Sequence, residues 1–269
     1  MTTAIRIAFA AIALTACGTA RSTYARYPGA PAAFDRQGSD PKAIEIAEKV
    51  LAAAGGRSGW DAAKQIRWKQ TVTSDGKVTL ETEQAWDRWN ARHHGRLAIG
   101  EGSIVVGYEL YGRFSMGFME EGRKKENLDD ESRAKALAKA KSVFNVDTAV
   151  LTLQFLMLEP GATLEYVGPA KDDAGNEGYD EVAVTFGDPL RKELEFHAIV
   201  DRTSNELRRI EMLKIGTIQK VGYSLQGWTR VGGLSFATQR TNLGYSGETT
   251  AIKDIRVSSP EDELFIAPL

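Results

Sequence analysis

The chain has 269 residues, 42% of them apolar, which is enough for a large globular domain with a real core. Its 34 basic and 36 acidic residues give a formal charge of -2 and are well mixed, so no basic face is available to neutralise phosphates and nucleic-acid binding is set aside. The single cysteine excludes an intramolecular disulfide and a zinc site built from several thiolates.

That cysteine matters by position. Arg6 supplies a positive start, residues 7–14 are apolar but too short to span a bilayer, and small residues lead into Cys17. Residues 14–17, Leu-Thr-Ala-Cys, resemble the lipobox of bacterial lipoproteins, so residues 1–16 are expected to be a signal peptide cleaved before a diacylated Cys17. Two or more acyl chains on one residue make attachment to a bilayer stable without a transmembrane helix. Gly18, rather than Asp, follows the cysteine, and the resemblance then favours the outer membrane, facing the periplasm. Residues 17–40, rich in Ala, Gly, Pro, Arg and Ser, are expected to be a flexible tether, with a single folded domain over residues 41–269. Tyr24, Tyr27 and Phe34 are taken as spacing residues within it.

Asp40 suits an N-cap and Pro41 the first helical position, and Ile44, Ala47, Val50 and Leu51 repeat at helical spacing until Gly55-Gly56. Residues 60–66 lead into a first strand, and the pattern stays strand-like to Glu120. In a first hairpin, Ile66, Trp68 and Val72 share a face with Val78, Leu80 and Thr82 if Ser74-Asp75-Gly76 forms a three-residue loop. That register sets Lys69 against Glu81 and Arg67 against Glu83. In a second, a three-residue loop at Tyr111-Gly112-Arg113 sets Leu110 opposite Phe114, Tyr108 opposite Met116 and Val106 opposite Phe118. The run Arg123-Lys124-Lys125 before Asp129-Asp130-Glu131 reads as a solvated turn. Residues 129–158 are helical in pattern, charged and alanine-rich at first and then apolar almost all round, a buried helix or a lid over something apolar. Seven further strands follow at about 163–167, 179–186, 193–200, 206–215, 219–228, 234–243 and 249–257, with hairpin residues between them. A long strand meander with few helices predicts an α+β fold: one highly curved antiparallel sheet, an incomplete barrel, wrapped around helices.

Three stretches carry a family resemblance: residues 54–68, with Gly55-Gly56 before Trp60 and the strand at Ile66-Arg67-Trp68; residues 227–236, Gly-Trp-Thr-Arg-Val-Gly-Gly-Leu-Ser-Phe; and the closing Leu264-Phe265-Ile266-Ala267-Pro268. Together they resemble the LolA/LolB superfamily of half-barrel lipoproteins and lipoprotein carriers. The resemblance implies a half-barrel whose concave side holds acyl chains or other apolar ligands, and it supplies no invariant site to carry across.

Asp87, His93 and His94 are the residue types of an acid-base or metal site, with His197 the only other histidine. Adjacent residues on a strand point to opposite faces, which separates His93 from His94 and argues against that site. No metal site, cofactor or catalytic set is therefore expected. The apolar residues assigned to a ligand cavity are Trp68, Trp86, Tyr108, Phe114, Met116, Phe118, Phe144, Leu151, Phe155 and Leu156. The leading expectation is a non-enzymatic, membrane-anchored periplasmic lipoprotein that binds a lipid or acyl chain. The alternatives are an envelope interaction lipoprotein whose core is filled, and a hydrolase using the Asp87, His93 and His94 region.

Overall fold

The structure, a computed structural model, describes residues 26–245 and 247–266. Three α-helices are present among them: α1 (Pro41–Ala53), α2 (Gly56–Ala62) and α3 (Asp130–Leu156). The strands are β1 (Gln65–Ser74), β2 (Lys77–Asp87), β3 (Arg92–Ile99), β4 (Gly102–Glu109), β5 (Ser115–Glu121), β6 (Lys124–Asn127), β7 (Ala162–Ala170), β8 (Tyr179–Phe186), β9 (Leu194–Asp201), β10 (Leu207–Lys214), β11 (Lys220–Val231), β12 (Leu234–Asn242) and β13 (Glu248–Ser258). A 3₁₀ turn follows at Asp262–Phe265. No described helix is long and apolar enough to cross a membrane.

All 13 strands join one antiparallel sheet in the order β6-β5-β4-β3-β2-β1-β13-β12-β11-β10-β9-β8-β7, with β6 and β7 as unjoined edges. Every neighbour is a hairpin partner except β1 and β13, which bring the two halves of the chain together. The sheet bends strongly. Tyr111, just after β4, donates to Asp188 Oδ2, just after β8, at 3.1 Å. Nine strand spacings separate β4 from β8, and a flat sheet would hold them about 43 Å apart. The helices pack on the inside of the bend: α3 against β4, β5 and β12, α2 against β12, and α1 against α3 and β7.

The helix starts follow local chemistry. Asp40 caps α1 by accepting from the Lys42 amide, and Asp129 caps α3 by accepting from the Ser132 amide. Ala43, Ile44, Ala47, Val50 and Leu51 form the buried stripe of α1. Helix α2 lies where the sequence pattern leads directly into a strand; its glycine-rich start gives no periodicity, and burial of Trp60 fixes it instead. Strand β6 replaces the expected solvated turn, because Lys124 and Lys125 pair with Glu121 and Glu120 of β5 in the ladder. Tyr27 and Phe34 also touch the folded part: the Tyr27 ring lies 6.2 Å from that of Tyr111, and Phe34 packs on the core.

Both hairpin registers differ from expectation. The first uses a two-residue turn, Asp75-Gly76, both with positive φ, between the paired Ser74 and Lys77. A register irregularity after Val72 then sets Lys69 opposite Glu83 and Arg67 opposite Ala85. The shift from the predicted pairs is two residues, so Leu80 and Thr82 stay on the face of Val72.

The second correction changes the site. The hairpin loop inside the Glu109–Phe114 pair has four residues, 110–113, and Glu109 N donates to Phe114 O at 3.1 Å. Tyr108 therefore faces Ser115, Val106 faces Gly117, Gly107 faces Met116 and Val105 faces Phe118. A slip of one residue sends Phe114, Met116 and Phe118 to the face opposite Tyr108. On that outer face Phe114 is exposed, while Met116 and Phe118 are buried away from the helices.

Candidate functional site

Helix α3 divides the interior into two parts. Its second half is buried at Phe144 and then all round from Asp147 to Leu156. Phe155 stacks on Trp60 with centroids 4.5 Å apart and meets Phe236 edge-on at 5.7 Å. Phe144 sits between Trp86 at 5.8 Å and His93 at 4.4 Å. Glu159 holds the end of the helix, accepting from Trp60 Nε1 at 2.8 Å and from Arg57 at 2.6 Å. Trp68, Trp86, Tyr108, Phe144, Leu151, Phe155 and Leu156 all belong to this one packed core. The structure thus brings seven of the ten predicted ligand residues together, but mainly against one another.

The first half of α3 is packed differently. Ala136, Leu137, Ala140 and Val143 face inward and are only half buried. Between this face and strands β2–β4 lies a pocket of about 170 Å³. Leu80, Leu97, Ile104 and Val106 supply its strand wall, and Ala136, Ala140 and Val143 its helix wall. Gly95 lies opposite the alanines, so small residues on both sides leave the space. None of the ten predicted residues lines it. The signal that could have located it is the pairing of a glycine in β3 with alanines at helical spacing i and i+4, together with the lone Asp147 in the apolar half of α3.

A polar cluster closes the deep end of the pocket. Asp147 Oδ2 accepts from Gln84 Nε2 at 2.6 Å, and Oδ1 accepts from Gln70 Nε2 at 3.2 Å and Arg240 at 3.4 Å. Gln84 Oε1 lies 3.2 Å from His93 Nε2. Gln70, Gln84, Asp147, Arg240 and His93 are all buried. Burial pushes the Arg240 guanidinium down from its ordinary range, while the Asp147 carboxylate opposes that shift. Such a pair is costly to desolvate, and removing one partner leaves a bare buried charge.

A smaller cavity of about 80 Å³ lies at the other end of α3, beside Trp86 and Leu156. Its charges are engaged: Arg191 donates to Asp188 at 2.8 Å, and Arg88 donates to the Trp60 and Ala63 carbonyls.

Asp87, His93 and His94 do not converge. Asp87 and His94 lie on the outer face and His93 on the inner one, as the alternation of β2 and β3 dictates. Asp87 accepts from Asn90 and Arg92, with Arg92 NH2 at 2.6 Å. His94 packs near Phe265, 6.3 Å between centroids, where burial and then the charges of Arg67, Arg96 and Lys125 push its pKa down to about 4. His197 is engaged by Glu181 and Glu195 on a distant strand. No group of three or more candidate metal ligands occurs among the described residues. Cys17 lies outside the described residues.

No family model and no curated protein matches the chain. Among solved structures it is similar to a DUF1329 family protein from Desulfovibrio piger, at a TM-score of 0.52 and 11% identity, over 85% of this chain and 98% of that one. A putative outer membrane lipoprotein-sorting protein domain from Vibrio parahaemolyticus aligns at 0.44 and 9%, over 83% and 96% of the two chains. A LolA superfamily protein from Nitrosomonas europaea aligns at 0.41 and 12%, over 83% and 97%. At these identities the likeness concerns the fold alone: a large unclosed antiparallel sheet with helices on one face.

Proposed function

We propose that this protein is a non-enzymatic lipoprotein of the cell envelope that binds an acyl chain or similar apolar ligand between the first half of α3 and strands β2–β4. In this reading residues 1–16 are removed, acylated Cys17 holds the chain at the outer membrane facing the periplasm, and residues 17–40 connect it to a single domain over 41–269. The sheet acts as an incomplete barrel, with the second half of α3 as its fixed filling and the first half as a cover.

The observation that carries the reading is the pocket itself. Its exposed wall is mainly aliphatic, with Arg96 and Lys139 also lining it, and its volume of about 170 Å³ exceeds that of a dry engineered cavity that takes up benzene. At roughly 30 Å³ per water-sized group it holds five or six methylenes, so a longer chain requires the half-buried face of α3 to lift. The fold likeness to lipoprotein-sorting structures agrees with this role.

Native mass spectrometry of the full-length protein from an envelope extract, followed by lipid extraction, tests it. A co-purifying lipid that is lost in Val106→Trp, with the fold intact by circular dichroism, is the expected result. A ligand-free mass and no uptake of added monolauroylglycerol would leave an interaction protein with a filled core. The anchoring is tested separately: Cys17→Ser should abolish acylation and release the protein from membranes.

A further inference from the structure

One residue of the pocket wall, His93, carries a buried ring nitrogen whose chemistry is specific. Gln84 uses its amide nitrogen to donate to Asp147, so its oxygen must accept, and the partner 3.2 Å away, His93 Nε2, must carry a proton. His93 Nδ1 is then a bare lone pair. It is buried and has no hydrogen-bond partner among the described residues. Its direction is fixed by Gly95: a Cβ built there would meet His93 Cε1 at 3.1 Å and Nδ1 at 3.9 Å, so this edge of the ring lies over the glycine. Gly95, His93 and Val106 all form the strand wall. Burial and the neighbouring His94 push the His93 pKa well below its ordinary value, so the ring is neutral at pH 7 and cannot donate from both nitrogens.

We infer that the pocket selects an aliphatic ligand that carries an uncharged hydrogen-bond donor, a hydroxyl, to His93 Nδ1. The inference rests on the reading of this pocket as a ligand site. A purely hydrocarbon occupant leaves a buried acceptor unsatisfied, whereas an O–H satisfies it. A carboxylate is disfavoured at Nδ1, because its lone pairs face the lone pair of the ring nitrogen; the two cations that also line the pocket, Arg96 and Lys139, make no hydrogen bond to that nitrogen. Asp147 fixes the polarity of this recognition from a distance, by holding the Gln84 amide in the orientation that makes its oxygen face the histidine.

Two isomers separate the donor from everything else: pentan-1-ol and butyl methyl ether have the same atoms and an acceptor oxygen each, and only the alcohol donates. Titrated into the full-length chain, pentan-1-ol should bind at least about fivefold more tightly than the ether, the effect of one hydrogen bond to a buried group, and pentanoate should bind more weakly than either. The His93 Nδ1 nitrogen resonance should move with the alcohol and stay with the ether. His93→Phe should erase the preference while keeping the ether affinity; should that variant fail to fold, the nitrogen resonance of the unaltered protein decides. Equal binding of the two isomers, or strongest binding of pentanoate, overturns the donor requirement and leaves the pocket reading intact. Failure of both isomers to bind overturns the pocket reading, and the donor requirement with it.

Discussion

The two halves of α3 run along the same sheet and do opposite things. From Phe144 to Leu156 almost every side chain is buried, with aromatic rings filling the space to β2 and β12. From Asp130 to Val143 the inward positions are small or short, and a pocket remains beneath them. One helix is therefore a filled core at one end and a cover at the other, and the change is made by side-chain volume without a break in the backbone. Interiors packed to crystal-like density leave few voids, and the void beside this dense core is the physical basis of the proposed ligand site.

Substitutions in the dense half should have the largest effect. Phe155→Ala removes a ring stacked on Trp60 and should lower stability by about 4 kcal/mol in urea unfolding; a loss below about 1 kcal/mol would contradict a rigid second half. At the boundary, Asp147→Ala strands the Arg240 charge and should cost about 3 kcal/mol, with most of it recovered in the double variant Asp147→Leu, Arg240→Met. If the double variant is no better than the single one, the pair is not what holds this boundary.

Acidification acts on two strand histidines that burial holds neutral, His93 at the pocket wall and His94 on the outer face. An unfolded chain protonates His94 near pH 6.5, while the folded chain refuses that proton until about pH 4. Stability contributed by the neutral ring is therefore fully present above about pH 6.5 and falls as pH drops towards 4, by on the order of 2 kcal/mol. His94→Gln should remove the His94 share of this slope and leave the share of His93, which burial also holds neutral; an unchanged slope would place the titration elsewhere. The smallest effect belongs to the solvent side of the cover, where Ala138→Gly should cost about 1 kcal/mol from helix propensity alone and leave ligand binding close to wild type by titration.

Most of this architecture is legible in the sequence because its signals are local. Asp40 and Pro41 mark the start of α1, Asp129 marks that of α3, and the alternation over residues 179–186 coincides with β8. The register of the β4–β5 hairpin was not, because it depends on whether the loop closes at Glu109 and Phe114 or one residue further in, and both closures leave alternating apolar residues on each strand. That single residue decides whether Met116 and Phe118 face the helices or the outer side of the sheet. The pocket escaped for a related reason. Large aromatic residues announce a core, whereas this cavity is made by their absence, at Gly95, Ala136 and Ala140. In the sequence His93 has the chemistry of a metal or acid-base group, whereas in the structure it joins a chain of hydrogen bonds through Gln84 to Asp147, more than fifty residues away in sequence.

Amide hydrogen exchange across α3, with and without monolauroylglycerol, tests the central claim most directly. Exchange reports local opening, and a cover over a pocket should open more readily than a filled core. Without ligand, residues 130–143 should exchange faster than 144–156; on addition of ligand the first segment should slow and the second should not change. Protection confined to 144–156, or no protection of α3 at a ligand concentration that saturates binding, would contradict the placement of the ligand beneath the first half of the helix.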